Sequence, residues 1–379
     1  MGKIRVLHVV RDDKFIDVPL NCFEEDGRFE NQAVMIVDSP NYKFRLIKNT
    51  DKIKLLYNKK MVRESFGMNN YDAIMLYSLT DYHIFNYIPQ DKIVMWWAWG
   101  FDLYGSRRFI DIPLFKPRTQ EFLNKRNSSI LSKITTFINN IPVVRLFRDG
   151  NRDKAIKRID YFQPVIHTEY EMMQNYPGFK AKEFYYPRAH TFESVVNGEL
   201  PFHGNNIIIN HSATYPCNHL DVWTDIKDFI PSDSTVYFPI NYGRVEYADY
   251  LSKTLTKKDV NVMFLKEFLP SEEYFKLVDS CSYAVYGVLR QAAMGNIYYC
   301  LATGMKLFLY KDSMVYKYLT DLGCVVFAIE DIDESSFSNP LTKEQAIQNR
   351  QCLLEEEVFV DKIRESSISE IMDRLTKKN

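Results

Sequence analysis

No two of the six cysteines (Cys22, Cys217, Cys281, Cys300, Cys324 and Cys352) stand close enough along the 379 residues to make a CxxC pair. Neither a zinc knuckle nor a disulfide framework is suggested, and reduced thiols of a cytoplasmic protein are the simplest state. Long apolar runs are missing as well, and nothing approaches the roughly 20 residues needed to span a bilayer. The opening MGKIRVLHVV runs directly into a strand-like segment, so a secretory leader is not expected. Basic excess is absent too: 48 Lys+Arg against 49 Asp+Glu leave a formal net charge of −1, which argues against a general nucleic-acid binder. Internal repeats and low-complexity tracts are not found. The expected setting is the cytoplasm or the face of a membrane.

What is present is globular. Hydrophobic residues make up 46% and charged residues 26%, and the length suffices for two α/β domains. Aromatic content is 15%, with 25 Tyr and 26 Phe, which suits stacking surfaces and core filling alike. Apolar strand-type runs at 3–10, 33–37, 73–77, 93–97 and 161–166 alternate with helix-compatible stretches such as 17–25. The second half is more regular, with strands expected at 206–210, 236–240, 261–265, 283–286, 306–310 and 325–329. Helices at 219–229, 245–255, 271–281, 291–302 and 314–322 are expected between them. That alternation predicts doubly wound parallel sheets. Pro187, Gly198, Pro201 and Gly204 break the pattern, so the expected division is an N-terminal domain over 1–186, a linker over 187–204 and a C-terminal domain over 205–379. Two such domains facing a central cleft form an architecture common among sugar-nucleotide enzymes.

Ligands of doubly wound domains lie beyond the carboxyl ends of the strands. The strongest candidate is Arg290-Gln291-Ala292-Ala293-Met294-Gly295-Asn296, where an arginine and a helix N-terminus offer a seat for a diphosphate. A plain helix start with a solvated arginine is the alternative. Next comes Asn210 to His219, in which Ser212 and Thr214 can donate to phosphate oxygens. Asn210 and Asn218 can hold the loop, Asn218 serves equally well as a helix cap, and His219 is either a ligand or a core histidine. Tyr242-Gly243, after the following strand, can stack on a base or sugar, or simply pack. In the N-terminal half, Trp96-Trp97-Ala98-Trp99-Gly100-Phe101-Asp102 ends a strand with three of the four tryptophans. Asp102 is a candidate base for the acceptor hydroxyl, or the cap of a tryptophan-rich corner; Asp12 and Asp13 compete for the catalytic place. Finally, residues 116–158 hold eleven Lys/Arg against three carboxylates, a net of +8, interleaved with Ile130, Leu131, Ile134, Phe137 and Ile138. Lys125, Arg126 and Lys133 there suit either an anionic membrane surface or a solvated helical face.

Taken in order, several segments resemble glycosyltransferase family 56. They are the first strand, Trp99-Gly100-Phe101-Asp102-Leu103-Tyr104, Tyr186-Pro187-Arg188, Asn210 to His219, Pro239 to Gly243, and Arg290-Gln291 with Gly295. The resemblance implies a GT-B fold of two Rossmann-like domains and an inverting, metal-independent transfer without a cofactor. It also implies a dTDP-linked amino-deoxyhexose donor resembling N-acetylfucosamine. The implied acceptor is a polyprenyl-pyrophosphate-linked saccharide, met peripherally at the cytoplasmic face of a bacterial inner membrane. His211, Thr214 to Cys217 and Ala292-Ala293-Met294 depart from the enterobacterial pattern, so another 6-deoxyhexose fits equally. Two rivals remain: a sugar-nucleotide epimerase of the same fold, which would need no acceptor, and a non-catalytic nucleotide-sugar-binding protein.

Overall fold

The computed structural model describes residues 2–67, 70–105, 109–126, 151–186, 196, 198–201 and 204–377. The chain divides into two compact units. The first comprises Met1–Asp111, Ile134–His190 and Phe359–Asn379, and the second Ile112–Lys133 and Thr191–Val358.

The first unit carries a sheet of β1 (Ile4–Val10), β2 (Phe29–Ile36), β3 (Ile53–Leu56), β4 (Ala73–Tyr77), β5 (Ile93–Trp97), β6 (Tyr161–Gln163) and β7 (Lys182–Glu183). Its order is β3-β2-β1-β4-β5-β6-β7, and every pairing is parallel. Parallel strands covered on both faces must be apolar throughout. AIMLY of β4 and IVMWW of β5 are buried at every position for that reason. The periodicity passes over β3 and β7, because IKLL is a short edge segment among lysines and β7 is only the dipeptide Lys182-Glu183.

The second sheet runs β10 (Asn261–Leu265), β9 (Thr235–Pro239), β8 (Asn206–Ile209), β11 (Cys281–Tyr286), β12 (Lys306–Leu309) and β13 (Phe327–Ala328), again wholly parallel. Central β11 is buried at all positions, while edge β10 buries none. The helices that follow β8, β9, β10 and β12 start at His219, Val245, Ser271 and Met314, where periodicity places them. The one after β11 begins at Met294, three residues later than expected, because Gln291 to Ala293 are spent on a turn.

Two stretches depart from a continuous division of the chain, and each has a physical cause. The helix Pro117–Arg126 is capped by Asp221, whose carboxylate accepts the N–H groups of Arg118 (2.8 Å) and Thr119 (2.9 Å) and the Thr119 hydroxyl (2.7 Å). That fastens it to the second unit. The last turns of the helix Lys343–Thr376 put Ile368 and Ile371 into the core formed by Val6, Met75, Phe23 and Tyr161. Glu355 to Glu357 lie within the same helix, half-buried or exposed. Among the described residues, no helix is long and apolar enough to cross a membrane.

Candidate functional site

Strand order in the second sheet reverses between β8 and β11, and a doubly wound sheet opens its ligand crevice at such a reversal. The loops there are stitched by two asparagines. Asn210, in the left-handed region at φ +60°, accepts the Gly287 N–H on its Oδ1 (2.9 Å). Asn218, at φ +51°, donates through Nδ2 to the carbonyls of Gly287 (2.7 Å), Pro216 (3.1 Å) and Leu114 (3.3 Å), and accepts the Lys116 N–H (2.9 Å). Both asparagines are buried. Asn218 is therefore neither a side-chain helix cap nor open to a ligand: it clamps three chain segments. Gly287 is obligatory between them, since a Cβ would lie 2.4 Å from the Cys217 carbonyl oxygen.

The loop after β9 joins the same group. Ala213 donates its N–H to the Tyr242 carbonyl (2.7 Å) and accepts that of Arg244 (3.0 Å). Gly243, at φ +115°, makes this approach possible, because a Cβ there would sit 2.5 Å from the Ala213 oxygen. Gly243 thus shapes the loop, and Tyr242 stands exposed.

Beyond β11, Arg290 donates to the Gln291 carbonyl at 2.6 Å. The helix Met294–Thr303 has Ala293 at its N-cap, at φ +58°, with no side-chain cap. An alanine in the left-handed region costs roughly 1–2 kcal/mol. The first-turn N–H groups of Met294, Gly295 and Asn296 have no carbonyl behind them, which gives the helix start a partial positive charge. Gly295 and Asn296 are half-buried, as is Arg290, while Gln291 is buried. The structure so brings together the two segments that sequence singled out separately, through Gly287, which it did not. A glycine directly after a strand was the available signal.

A small polar cluster lies inside the β8 loop. The Ser212 and Thr214 hydroxyls are 3.1 Å apart, and the Cys217 thiol lies 3.3 Å from Thr214, 3.6 Å from Ser212 and 3.8 Å from His211 Nδ1. Burial alone would raise the Cys217 thiol, but His211 and the two hydroxyls bring it down to about 7. His219 is 0% exposed, with ring centroids 5.8 Å from Tyr247 and 6.2 Å from Phe238. Burial pushes it down to about 3, so it is a neutral core histidine. Neither of its ring nitrogens has a hydrogen-bond partner among the described residues.

In the first unit the reversal falls between β1 and β4. Asp102 is 0% exposed. Its Oδ2 accepts the Leu79 N–H (2.7 Å) and the Trp96 indole N–H (2.8 Å), and its Oδ1 accepts the Trp99 N–H (2.8 Å). A carboxylate enclosed this way tethers the tryptophan corner, one of the two roles expected of it, and burial raises it even against these donors. Asp12 is likewise committed, to the N–H groups of Arg45, Leu46 and Ile47 and the Tyr42 hydroxyl. Burial would raise Asp12, yet these donors hold it below the usual carboxylate range. Asp13 is half-buried and accepts only the Phe15 N–H (3.1 Å) among the described residues. Around it stand Arg11, bonded to the Thr80 hydroxyl (3.0 Å) and 5.1 Å over the Phe101 ring, and Phe15 edge-on to Trp99.

Metal-ligating clusters of three or more His, Cys, Asp or Glu are not found among the described residues. Part of the basic stretch of 116–158, with Lys133, Ile130, Leu131, Ile134, Phe137 and Ile138, lies outside the described residues, as do Pro187 and Arg188.

Set beside solved structures, the chain is similar to an alpha-glucosyltransferase in complex with UDP and a 13-mer DNA containing an HMU base. The TM-score is 0.55 at 12% identity, over 99% of this chain and 100% of that one. It is similar also to the N-terminal domain of Candida albicans trehalose-6-phosphate phosphatase, with a TM-score of 0.60 at 9% identity over 99% of this chain and 98% of that one. A third likeness is to alpha,alpha-trehalose 6-phosphate synthase from Burkholderia multivorans, with a TM-score of 0.56 at 8% identity over 100% of this chain and 98% of that one. What these share with the chain is the fold: two Rossmann-like α/β domains of the GT-B type. No family model matches the sequence, and no curated protein matches it.

Proposed function

We propose that this chain is a glycosyltransferase of GT-B fold whose second unit holds a nucleoside-diphosphate sugar. One observation carries this: at the β8–β11 reversal, the hydroxyl-bearing loop of Ser212 and Thr214 is tied to the loop that leads through Arg290 into an uncapped helix start. A diphosphate needs that combination of a fixed cation, outward N–H groups and neutral donors. Arg290, Gln291, Gly295 and Asn296 are the proposed diphosphate side, Thr214 its hydroxyl partner with the buried Ser212 hydroxyl 3.1 Å behind it, and Tyr242 the stacking surface. Asn210, Asn218, Gly243 and His219 act beneath them as positioning residues. For the base we take Asp13, the aspartate of the first-unit reversal whose carboxylate is least engaged.

The resemblance to family 56 supports a finer reading. The donor is then a dTDP-linked amino-deoxyhexose, the transfer inverting and metal-independent, and the acceptor a polyprenyl-pyrophosphate-linked saccharide at the cytoplasmic face of a membrane. UDP is the nucleotide in the alpha-glucosyltransferase of similar fold, so both nucleotides belong in the test. The DNA in that structure is not carried over, because a chain of net charge −1 lacks the basic excess such a partner calls for.

Titration calorimetry with deoxythymidine diphosphate and uridine diphosphate tests the donor side. Arg290→Ala is expected to weaken binding by about 1.5–3 kcal/mol, the worth of a charge-assisted hydrogen bond. Unchanged affinity would remove this loop from the site. Asp13→Asn is expected to lower kcat while leaving nucleotide affinity intact.

A further inference from the structure

The loops beyond β1 and β2 carry a surface that the donor site does not use. Asp12 accepts the N–H groups of Arg45 (2.7 Å), Leu46 (3.0 Å) and Ile47 (3.1 Å), and Asp17 those of Lys48 (2.9 Å) and Asn49 (3.0 Å). Five consecutive backbone donors are thus turned inward onto two carboxylates. The outward side of the loop is left to side chains: Lys43, Arg45, Leu46 and Lys48 are exposed, while Ile47 turns into the core with Tyr42 and Phe44 packed half-buried against it.

Large apolar groups stand in water on the same two loops. Phe15 is 48% exposed, Val18 49% and Leu46 49%. Lys14 lies 4.9 Å over the Phe15 ring. Between residues 39 and 50 there are three cations and no carboxylate. On the neighbouring loop Arg11 and Lys14 flank Asp12 and Asp13 in sequence, while Asp12 and Asp17 are occupied by backbone donors; Asp38 and Asp51, at the two margins, are exposed carboxylates. Exposed apolar side chains fixed among lysines and arginines match an anionic bilayer, where apolar groups enter the headgroup layer and cations meet lipid phosphates.

We propose that the double loop of 11–18 and 42–49 is the surface by which the protein lies on an anionic membrane. Phe15, Val18 and Leu46 enter the interface, and Lys14, Lys43, Arg45 and Lys48 pair with phosphates of the headgroups. Its use in bringing a lipid-linked acceptor to the first unit rests on the function proposed above; the surface itself is argued from the loops alone. The loop clamp matters because a preformed platform loses little freedom on docking. Of the basic residues expected at a membrane, Lys125 is paired with Glu121 at 2.7 Å and Arg126 lies 5.8 Å over the Phe122 ring.

Sedimentation of the full chain with phosphatidylglycerol-containing vesicles, and with phosphatidylcholine vesicles alone, tests the surface. Binding to the anionic vesicles at low salt, weakened at high salt, is expected, with little binding to the neutral ones. Each Lys or Arg near an anionic surface changes the partition ratio about fivefold, so Lys43→Gln, Arg45→Gln and Lys48→Gln together should lower it on the order of a hundredfold. All three side chains are exposed, and the unfolding midpoint should not move. A second variant, Phe15→Ser with Leu46→Ser, should lose the portion of binding that survives high salt. Equal sedimentation of the triple variant and wild type would overturn the proposal, and so would failure of wild type to bind or equal binding to neutral vesicles. Nucleotide titration of the same proteins separates the two ideas: a triple variant that leaves vesicles but keeps its nucleotide supports the surface independently of the donor site.

Discussion

At the end of β8 the loops are held together by amides, and at the end of β1 by carboxylates, although the two sheets share the strand order 3-2-1-4-5-6 in relative terms. An amide both gives and accepts, so Asn218 alone can bridge the carbonyls of Gly287 and Leu114 and the N–H of Lys116. A carboxylate only accepts. Asp12, Asp17 and Asp102 must therefore gather N–H groups around them, and the segments that supply those donors turn their backbones inward. The electrostatic result differs. Neutral stitching by Asn210 and Asn218 adds no negative charge of its own beside the loop of Arg290, which suits an anionic ligand. Carboxylate stitching places negative charge inside the first-unit loops, each charge met by N–H donors. Two domains of one topology are thereby told apart by the side chains that knit their loops.

The sharpest way to break this contrast is to exchange the chemistry. Asn218→Asp would set a buried carboxylate oxygen against three carbonyl oxygens now met by the amide, at 2.7, 3.1 and 3.3 Å. A loss of about 3–5 kcal/mol in chemical unfolding is expected, the cost of an uncompensated buried charge. A loss below about 1 kcal/mol would show that the amide is not what holds the loops.

A slightly smaller effect concerns pH. Glu169 extends the carboxylate pattern of the first unit: it is buried and accepts the Tyr104 hydroxyl (2.6 Å) and the N–H groups of Val165 (2.7 Å) and Ile166 (3.3 Å). Burial nevertheless raises its carboxyl from the ordinary 4.5 to about 7. The folded state then holds a proton that the unfolded chain has lost. Its contribution is complete below the unfolded value and disappears as pH rises through about 7. Between those limits wild type should lose on the order of 3 kcal/mol relative to Glu169→Gln, measured as the difference between their unfolding free energies across pH. Parallel pH profiles for the two proteins would contradict this.

The mildest exchange is Asp12→Asn. The site is half-buried, and an amide nitrogen would face donors it cannot accept from. About 1–2 kcal/mol of destabilisation is expected, with looser protection of residues 45–47 in hydrogen exchange. If protection there is unchanged, the clamp on the 42–49 loop is not Asp12.

Much of the fold was legible because periodicity is a local property. Runs such as IVMWW and CSYAVY are apolar at each position since both sheet faces are covered, and they stand in the structure as β5 and β11. Strand-end loops were legible for the same reason: once the strands are placed, Asn210 to His219 and Arg290 to Asn296 must follow their carboxyl ends. The roles within those loops were not. Asp102 has the residue type and loop position of a general base, and only Leu79, 23 positions away, together with Trp96 and Trp99 reveals its tether. Asn218 has the position of a helix cap, yet it works on Leu114 and Lys116, more than 100 residues distant.

By itself the sequence determined which segments lie inside, since burial demands apolar side chains wherever a strand is covered on both faces. It determined equally where polar groups collect, because loops cannot hide their backbone. Only the tertiary structure decided which of those polar side chains are used up. A buried aspartate or asparagine is satisfied by donors and acceptors from remote parts of the chain, and no local pattern records whether those partners arrive. Hence Asp102 and Asn218 became part of the frame, while Asp13 and Arg290 were left at its edge.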